Sequence, residues 1–202
     1  MAMLAETSEA DTRERVVVTA ERLFREIGYQ KTTVADIARR LRMSPANVYR
    51  FFDSKRAIYE AVVMRLMGEV ESAASTIAFE TDPADRRLRR LLSAIHHMNA
   101  ERYTGEEKIH QMVAMAMEED WQVCNAHFER IVGIIAKVID DGVREGVFEV
   151  ADVPLAAMTT ATAMTRFFHP QVIAQCVAKP GPTLDQMVDF VLAALRPRLP
   201  AK

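Results

Sequence analysis

An all-α fold follows from three features of this 202-residue chain. Helix breakers are sparse, with 7 Gly and 8 Pro in total. Half the residues are apolar and only 7% aromatic, while Ala, Leu, Met and Arg, all good helix formers, are common. Apolar positions recur at intervals of three and four, with capping residues between the runs.

This length holds one large domain or two smaller ones, and the apolar content is ample for a packed core. No apolar run reaches the roughly 18 residues that a membrane helix needs. The N-terminal MAMLAETSEADTRERV lacks the apolar stretch flanked by positive charge of a signal peptide. A cytoplasmic protein is expected. Cys124 and Cys176 lie far apart, fit no ligand spacing, and read as ordinary thiols in a reducing compartment.

In residues 12–27, Val16, Val17, Ala20, Leu23, Phe24 and Ile27 repeat with a helical period, and Gly28 stands where a left-handed cap belongs. Thr33 then precedes Val34, Ile37, Ala38 and Leu41, which predicts a short second helix. Ser44-Pro45 reads as a cap followed by the first helical residue, so a third helix is expected over about 45–52. Ser44, Val48, Phe51 and Phe52 mark this segment. Asp53-Ser54 is another break, and a longer helix follows from Lys55 toward residue 79.

Two helices as short as those in TVADIARRLRMSPANVYRFF, residues 33–52, cannot bury enough surface to stand alone. They must pack on their long neighbours, and the brief turn between them forces a steep crossing. That is helix-turn-helix geometry with its second helix presented outward. The small residues Pro45 and Ala46 allow close approach to base edges. Asn47 suits adenine, Arg50 a guanine or a phosphate, and the Tyr49 hydroxyl a phosphate. Thr33, Ser44 and Lys55, at helix starts, complete the expected DNA-binding set. Charge agrees: the net is −2 overall, yet residues 31–56 carry Lys31, Arg39, Arg40, Arg42, Arg50, Lys55 and Arg56 against only Asp36 and Asp53. A local basic patch is the electrostatic footprint of phosphate binding.

Four motifs in order carry a resemblance. These are F-x-x-x-G-Y at 24–29, T-T-x-x-x-I-A at 32–38, S-x-x-x-V-Y-x-F-F at 44–52 and S-K-x-x-I at 54–58. Residues 10–70 resemble the DNA-binding domain of the TetR family of bacterial transcriptional regulators. One position departs: many members carry histidine where this chain has Phe51, and there the histidine helps bind a phosphate. The resemblance implies a two-domain, all-helical homodimer. Its DNA-binding domain spans 10–70, and a larger helical ligand-binding and dimerisation domain spans 71–202. It implies a repressor that binds a palindromic operator as a dimer and is released by a small molecule. The ligand would act by changing the separation of two recognition helices, which dock about 34–36 Å apart on one DNA face.

The rest of the chain continues in helices. Asp82-Pro83 opens one to about Tyr103, residues 106–119 make a methionine-rich one, and Trp121 starts one to about Glu145. Asp152 caps a helix expected to run to Phe168, His169-Pro170 interrupts it, and Thr183 with Gln186 forms a capping box for the last. The small-residue stretch LAAMTTATAMT, 155–165, and LDQMVDFVLAAL, 184–195, are expected to form the dimer interface. Met98, His110, Met112, Met115, Trp121, His127, Phe128, Phe167, Phe168 and His169 are candidate ligand-pocket residues, since methionine and aromatic side chains suit adaptable apolar pockets. All five histidines lie in this half. An alternative reading is a metal-responsive, zinc-type sensor in which His110, His127 and His169 join a carboxylate such as Glu118 or Glu119. No metal or other cofactor is assigned. No glycine-rich phosphate loop, nucleophile elbow or CxxC pair supports catalysis, so an enzyme is not expected.

Overall fold

Local capping chemistry sets several helix boundaries in the computed structural model. It describes residues 2–104, 121–176 and 178–197, with side chains for 9–101, 123–176 and 178–197. Among the described residues there are ten helices and no strand. They are α1 (Ala2–Ile27), α2 (Val34–Leu41), α3 (Pro45–Tyr49), α4 (Lys55–Ala78), α5 (Ala84–Thr104), α6 (Trp121–Arg144), α7 (Val153–Ala163), α8 (Thr165–Phe168), α9 (Pro170–Cys176) and α10 (Leu184–Leu195). Two packed units divide them: residues 2–66 in the first, and 67–104 with 121–197 in the second. His110, Met112, Met115 and the expected 106–119 helix lie outside the described residues, as do Glu118 and Glu119.

In the first unit, α1 begins ten residues earlier than the apolar period predicts, because residues 2–11 contain no Gly or Pro to stop it. It ends where Gly28 turns left-handed, with φ 88°. The Gly28 N–H bonds Phe24 O at 3.0 Å, and Thr32 donates its N–H and its hydroxyl to Gly28 O. Thr33 and Asp36 then form a reciprocal capping box that starts α2. The hydrogen bonds from Thr33 hold the Asp36 carboxyl below the usual carboxylate range. Arg42 ends α2 in the left-handed region, φ 56°, and the N–H groups of Arg42 and Met43 close on Arg39 O and Ala38 O. Ser44 caps α3 by accepting from Asn47 N–H at 3.2 Å, with Pro45 at the first helical position.

The third helix is shorter than its expected 45–52. Its regular part ends at Tyr49, after which Phe51 N–H tightens onto Val48 O at 3.0 Å. This last turn carries Phe52 inward, where it is buried with Val48, Phe24, Ile37 and Ile58. Such apolar burial, about 1.5–3 kcal/mol for each large side chain, holds the unit together.

In the second unit, α5 packs on α6, α8, α9 and α10, and α7 lies on α6. Leu88, Leu91, Leu92 and Ile95 of α5 meet Ile135 and Ile139 of α6 and Val188 and Leu192 of α10 in one core. Arg87 is buried at its edge. Its guanidinium donates to Ala78 O at 2.7 Å, Asp82 O at 2.7 Å, Asp141 Oδ2 at 2.8 Å and Glu145 Oε1 at 2.9 Å. Burial alone would raise Asp141, but Lys137 and Arg87 hold its carboxyl below the usual range. Farther along α6, His127 Nδ1 meets Glu71 Oε1 at 2.6 Å, and Arg130 donates to Glu71 Oε2 at 2.6 Å. Beyond α6, Phe148 folds back onto Gly142.

The helix from Asp152 does not run unbroken to Phe168. It stops at the buried Met164, whose ψ of 3° departs from helical values. Thr162 and Thr165 hydroxyls bond backbone carbonyls of this stretch, an alternative to the helical ladder, and β-branched threonines crowd it.

Two predictions follow from this packing. A Cβ on Gly142 would lie 2.1 Å from the Phe148 ring. Gly142→Ala is therefore expected to lower unfolding free energy by about 1–3 kcal/mol, read by urea denaturation. Burial pushes His127 and His169 below the ordinary 6.5, at His127 against the opposing Glu71 bond. The unfolded chain then takes up protons first, so stability is full above 6.5 and falls as pH drops through the folded values. The loss from pH 7.5 to 5.5 is expected to shrink in a His127→Gln/His169→Gln variant, whereas the depressed carboxylates act only at lower pH.

Candidate nucleic-acid interface

α3 keeps one side chain, Val48, for the core and turns the others outward. Pro45, Ala46, Tyr49 and Arg50 are exposed, Tyr49 by 49%, and Asn47 is half-buried. Ser44 is exposed beside them while its hydroxyl caps the helix. Asn47 is steadied from two sides, donating to Met43 Sδ at 3.9 Å and accepting from Arg50 Nη1 at 3.5 Å. Thr33, one helix earlier, spends its hydroxyl on the Asp36 capping box.

Lys55 at the start of α4 is more constrained than sequence suggests. Its ammonium donates to Gln30 O at 3.3 Å and sits 4.2 Å from the Tyr29 ring centre. Burial lowers its pKa from the ordinary value. Tyr29 in turn packs against Phe24 and Tyr59, so the aromatic cluster that closes α1 also places this cation.

The basic patch is thinner in space than along the chain. Arg40 pairs with Glu26 at 3.0 Å, Arg56 with Glu60 at 2.9 Å, Arg50 with Glu9 at 3.8 Å and Arg39 with Asp36 at 3.0 Å. Three of these carboxylates come from outside residues 31–56, so a linear count misses them. Exposed pairs of this kind are worth about 0–1 kcal/mol and exchange readily for another anion. Lys31 and Arg42 are exposed with no carboxylate partner among the described residues.

Sequence reasoning missed the side chains that brace this surface. Arg13 of α1 donates to Phe51 O at 2.7 Å and lies 4.2 Å from the Phe52 ring centre. Arg65 of α4 ties back to Glu14 at 2.9 Å and Glu21 at 2.7 Å on α1. These contacts span 38 to 51 positions, and no local pattern announces them.

The second unit scatters the remaining candidates. Packing of α8 and α9 on α5 brings Phe167, Phe168 and His169 to that helix. His96 Nδ1 lies 3.0 Å from Phe167 O, and Asn99 donates to Phe168 O at 2.9 Å. His169 Nδ1 is buried without a hydrogen-bond partner, and Met98 is half-buried against the core. His127 is engaged with Glu71, and Phe128 is exposed. Trp121 opens α6, and its side chain lies outside those described. Among the described residues no three His, Cys, Asp or Glu side chains come together as a metal would require. On α7 and α10, Leu155, Met158 and Phe190 are exposed, beside an apolar groove of about 390 Å³ lined by Ala156, Thr159, Ala163 and Ala194. No helix among the described residues is long and apolar enough to cross a membrane.

Comparison with known proteins agrees with this architecture. The model of the family described as "Bacterial regulatory proteins, tetR family" matches residues 16–62, and that of "Tetracyclin repressor-like, C-terminal domain" matches 84–187. The chain is 21% identical over 155 residues to the HTH-type transcriptional regulator YhgD of Bacillus subtilis, covering 73% of this chain and 77% of that one. It is 41% identical over 51 residues to IcaR of Staphylococcus aureus, the negative regulator of the biofilm operon icaADBC, covering 25% of this chain and 27% of IcaR. The fold matches a TetR-family transcriptional regulator from Pectobacterium atrosepticum with a TM-score of 0.65 at 20% identity, over 93% of this chain and 92% of that one. With a family model matched on each side of residue 70, an all-helical fold and a helix-turn-helix in place, the chain belongs to the TetR family of DNA-binding transcriptional regulators, not to a class of enzymes.

Proposed function

We propose that this chain is a ligand-responsive repressor that binds a palindromic operator as a homodimer. Residues 10–70 form its DNA-binding domain, with the helix-turn-helix at 33–52. Residues 71–202 form a ligand-binding and dimerisation domain. The observation that carries this reading is α3 itself, anchored by Val48 alone and turning Pro45, Ala46, Tyr49 and Arg50 to solvent. A helix so presented fits a major groove, with small residues where backbone meets base edges.

Each contact has a role. Asn47 and Arg50 read bases, Tyr49 and Lys55 hold phosphates, and Thr33 and Ser44 bring helix N-termini to the backbone. Lys55 spends one donor on Gln30 O and keeps the others for an anion. Dimerisation is supported by the α7–α10 face, where Leu155 is 61% and Phe190 66% exposed beside an apolar groove. An apolar surface of this kind on a soluble helical unit marks an interface. Repression is supported by the likeness to IcaR, a negative regulator. An organic effector is supported by Met98, Phe168 and the unpaired His169 Nδ1 near α5, an apolar setting with one polar anchor.

Selection of duplex DNA from a random pool tests the reading, and a palindromic site should emerge. Asn47→Ala is expected to relax preference at one base pair per half-site, by about 1–3 kcal/mol. Lys55→Met should weaken all duplexes alike and reduce the salt slope by about 0.9 per half-site. Unchanged selectivity and slope would remove both residues from the contact set. In sedimentation, Leu155→Asp/Phe190→Asp should shift the protein from dimer to monomer and abolish tight binding to the palindrome. A variant that stays dimeric would place the interface elsewhere.

A further inference from the structure

Two side chains one helical turn apart on α1, Glu9 and Arg13, hold three consecutive residues after α3. Glu9 faces the Arg50 guanidinium at 3.8 Å. Arg13 donates to the Phe51 carbonyl at 2.7 Å and spreads its guanidinium over the Phe52 ring. The two contacts differ in strength. The Glu9–Arg50 pair is long and both side chains are about two-thirds exposed, so solvent and salt weaken it. The Arg13 contact is a short charge-assisted hydrogen bond backed by a cation–π stack on a buried ring.

We propose that Arg13 is a positioning residue for DNA recognition, fixing the pose of α3 by clamping the chain where that helix ends. The inference rests on the reading of α3 as the recognition helix. Its physical logic is that α3 itself buries one side chain, Val48, and that Phe52 anchors the exit turn by apolar burial, which is not directional. Arg13 adds a directional contact, on the carbonyl three residues after Val48 and over the Phe52 ring. A lysine at 13 keeps the charge but not the planar group that donates and stacks at once.

The experiment compares wild type, Arg13→Ala and Arg13→Lys in the full chain, using the duplex that wild type selects from a random pool and a random duplex of equal length. Arg13 is exposed and no core side chain changes, so both variants should still fold cooperatively, melting only a few degrees below wild type. Both should bind the selected duplex about tenfold more weakly, the equivalent of one charge-assisted hydrogen bond. Affinity for random duplex and the salt slope should be unchanged. In DNA-free protein, hydrogen exchange over residues 45–53 should quicken in both variants. If Arg13→Lys matches wild type while Arg13→Ala loses about 0.9 per half-site from the slope on every duplex, Arg13 is a phosphate contact and the proposal fails. Unchanged exchange removes the clamp. Failure of wild type to select any sequence overturns the reading of α3, and the role of Arg13 with it, but leaves the exchange result standing as the separate test of the clamp.

Discussion

A five-residue helix with one buried side chain cannot set its own orientation. Burying Val48 returns less free energy than ordering the backbone of α3 costs, so the helix exists in its pose only because its surroundings impose it. The Thr33–Asp36 box fixes where α2 starts, the Arg42 turn fixes the crossing, and the Ser44 cap fixes the first turn of α3. Phe52 then locks the exit by entering the core. The outward set of Pro45, Ala46, Asn47, Tyr49 and Arg50 is the remainder once every inward demand is met.

How much of this could be read from sequence follows from distance along the chain. A cap is a contact between residues three apart, so Thr33, Ser44, Asp152 and Thr183 announced themselves, and each caps the helix expected of it. The same holds for Gly28, left-handed at the end of α1. Contacts between distant residues leave no such trace. Arg13 looked like any surface arginine, and Glu9, Glu26 and Glu60 sat outside the window in which basic charge was counted. The stop at Met164 was hidden for another reason. Each threonine nearby tolerates a helix singly, and the side-chain bonds of Thr162 and Thr165 flank the stop without any one residue marking it.

The second unit solves a related problem with charge. Its helix α6 carries His127 and Arg130 toward one end and Asp141 toward the other, with Glu145 in the turn just beyond. The first pair meets Glu71 of α4, and the second meets Arg87 of α5. Apolar packing alone would tolerate a slide of one turn between such helices. A slide of α6 would take both carboxylates, Asp141 and Glu145, from the buried Arg87 and leave it only the carbonyls of Ala78 and Asp82, and a buried charge without its counter-charge is costly. Ionic contacts at both ends therefore specify register, while the leucines and isoleucines between them supply most of the cohesion.

Arg42 carries a consequence of its own. A residue with a Cβ in the left-handed region sits there at a disadvantage of about 1 kcal/mol against glycine, which commonly occupies such turns. The chain nonetheless places an exposed cation there, with no carboxylate partner among the described residues. Thermal robustness and surface potential thus compete for one position. A glycine would relax the hinge between α2 and α3 and erase a positive charge beside the presented helix in the same stroke. Any effort to harden this protein by easing its backbone would begin at Arg42, and would alter its electrostatic reach before it altered its core.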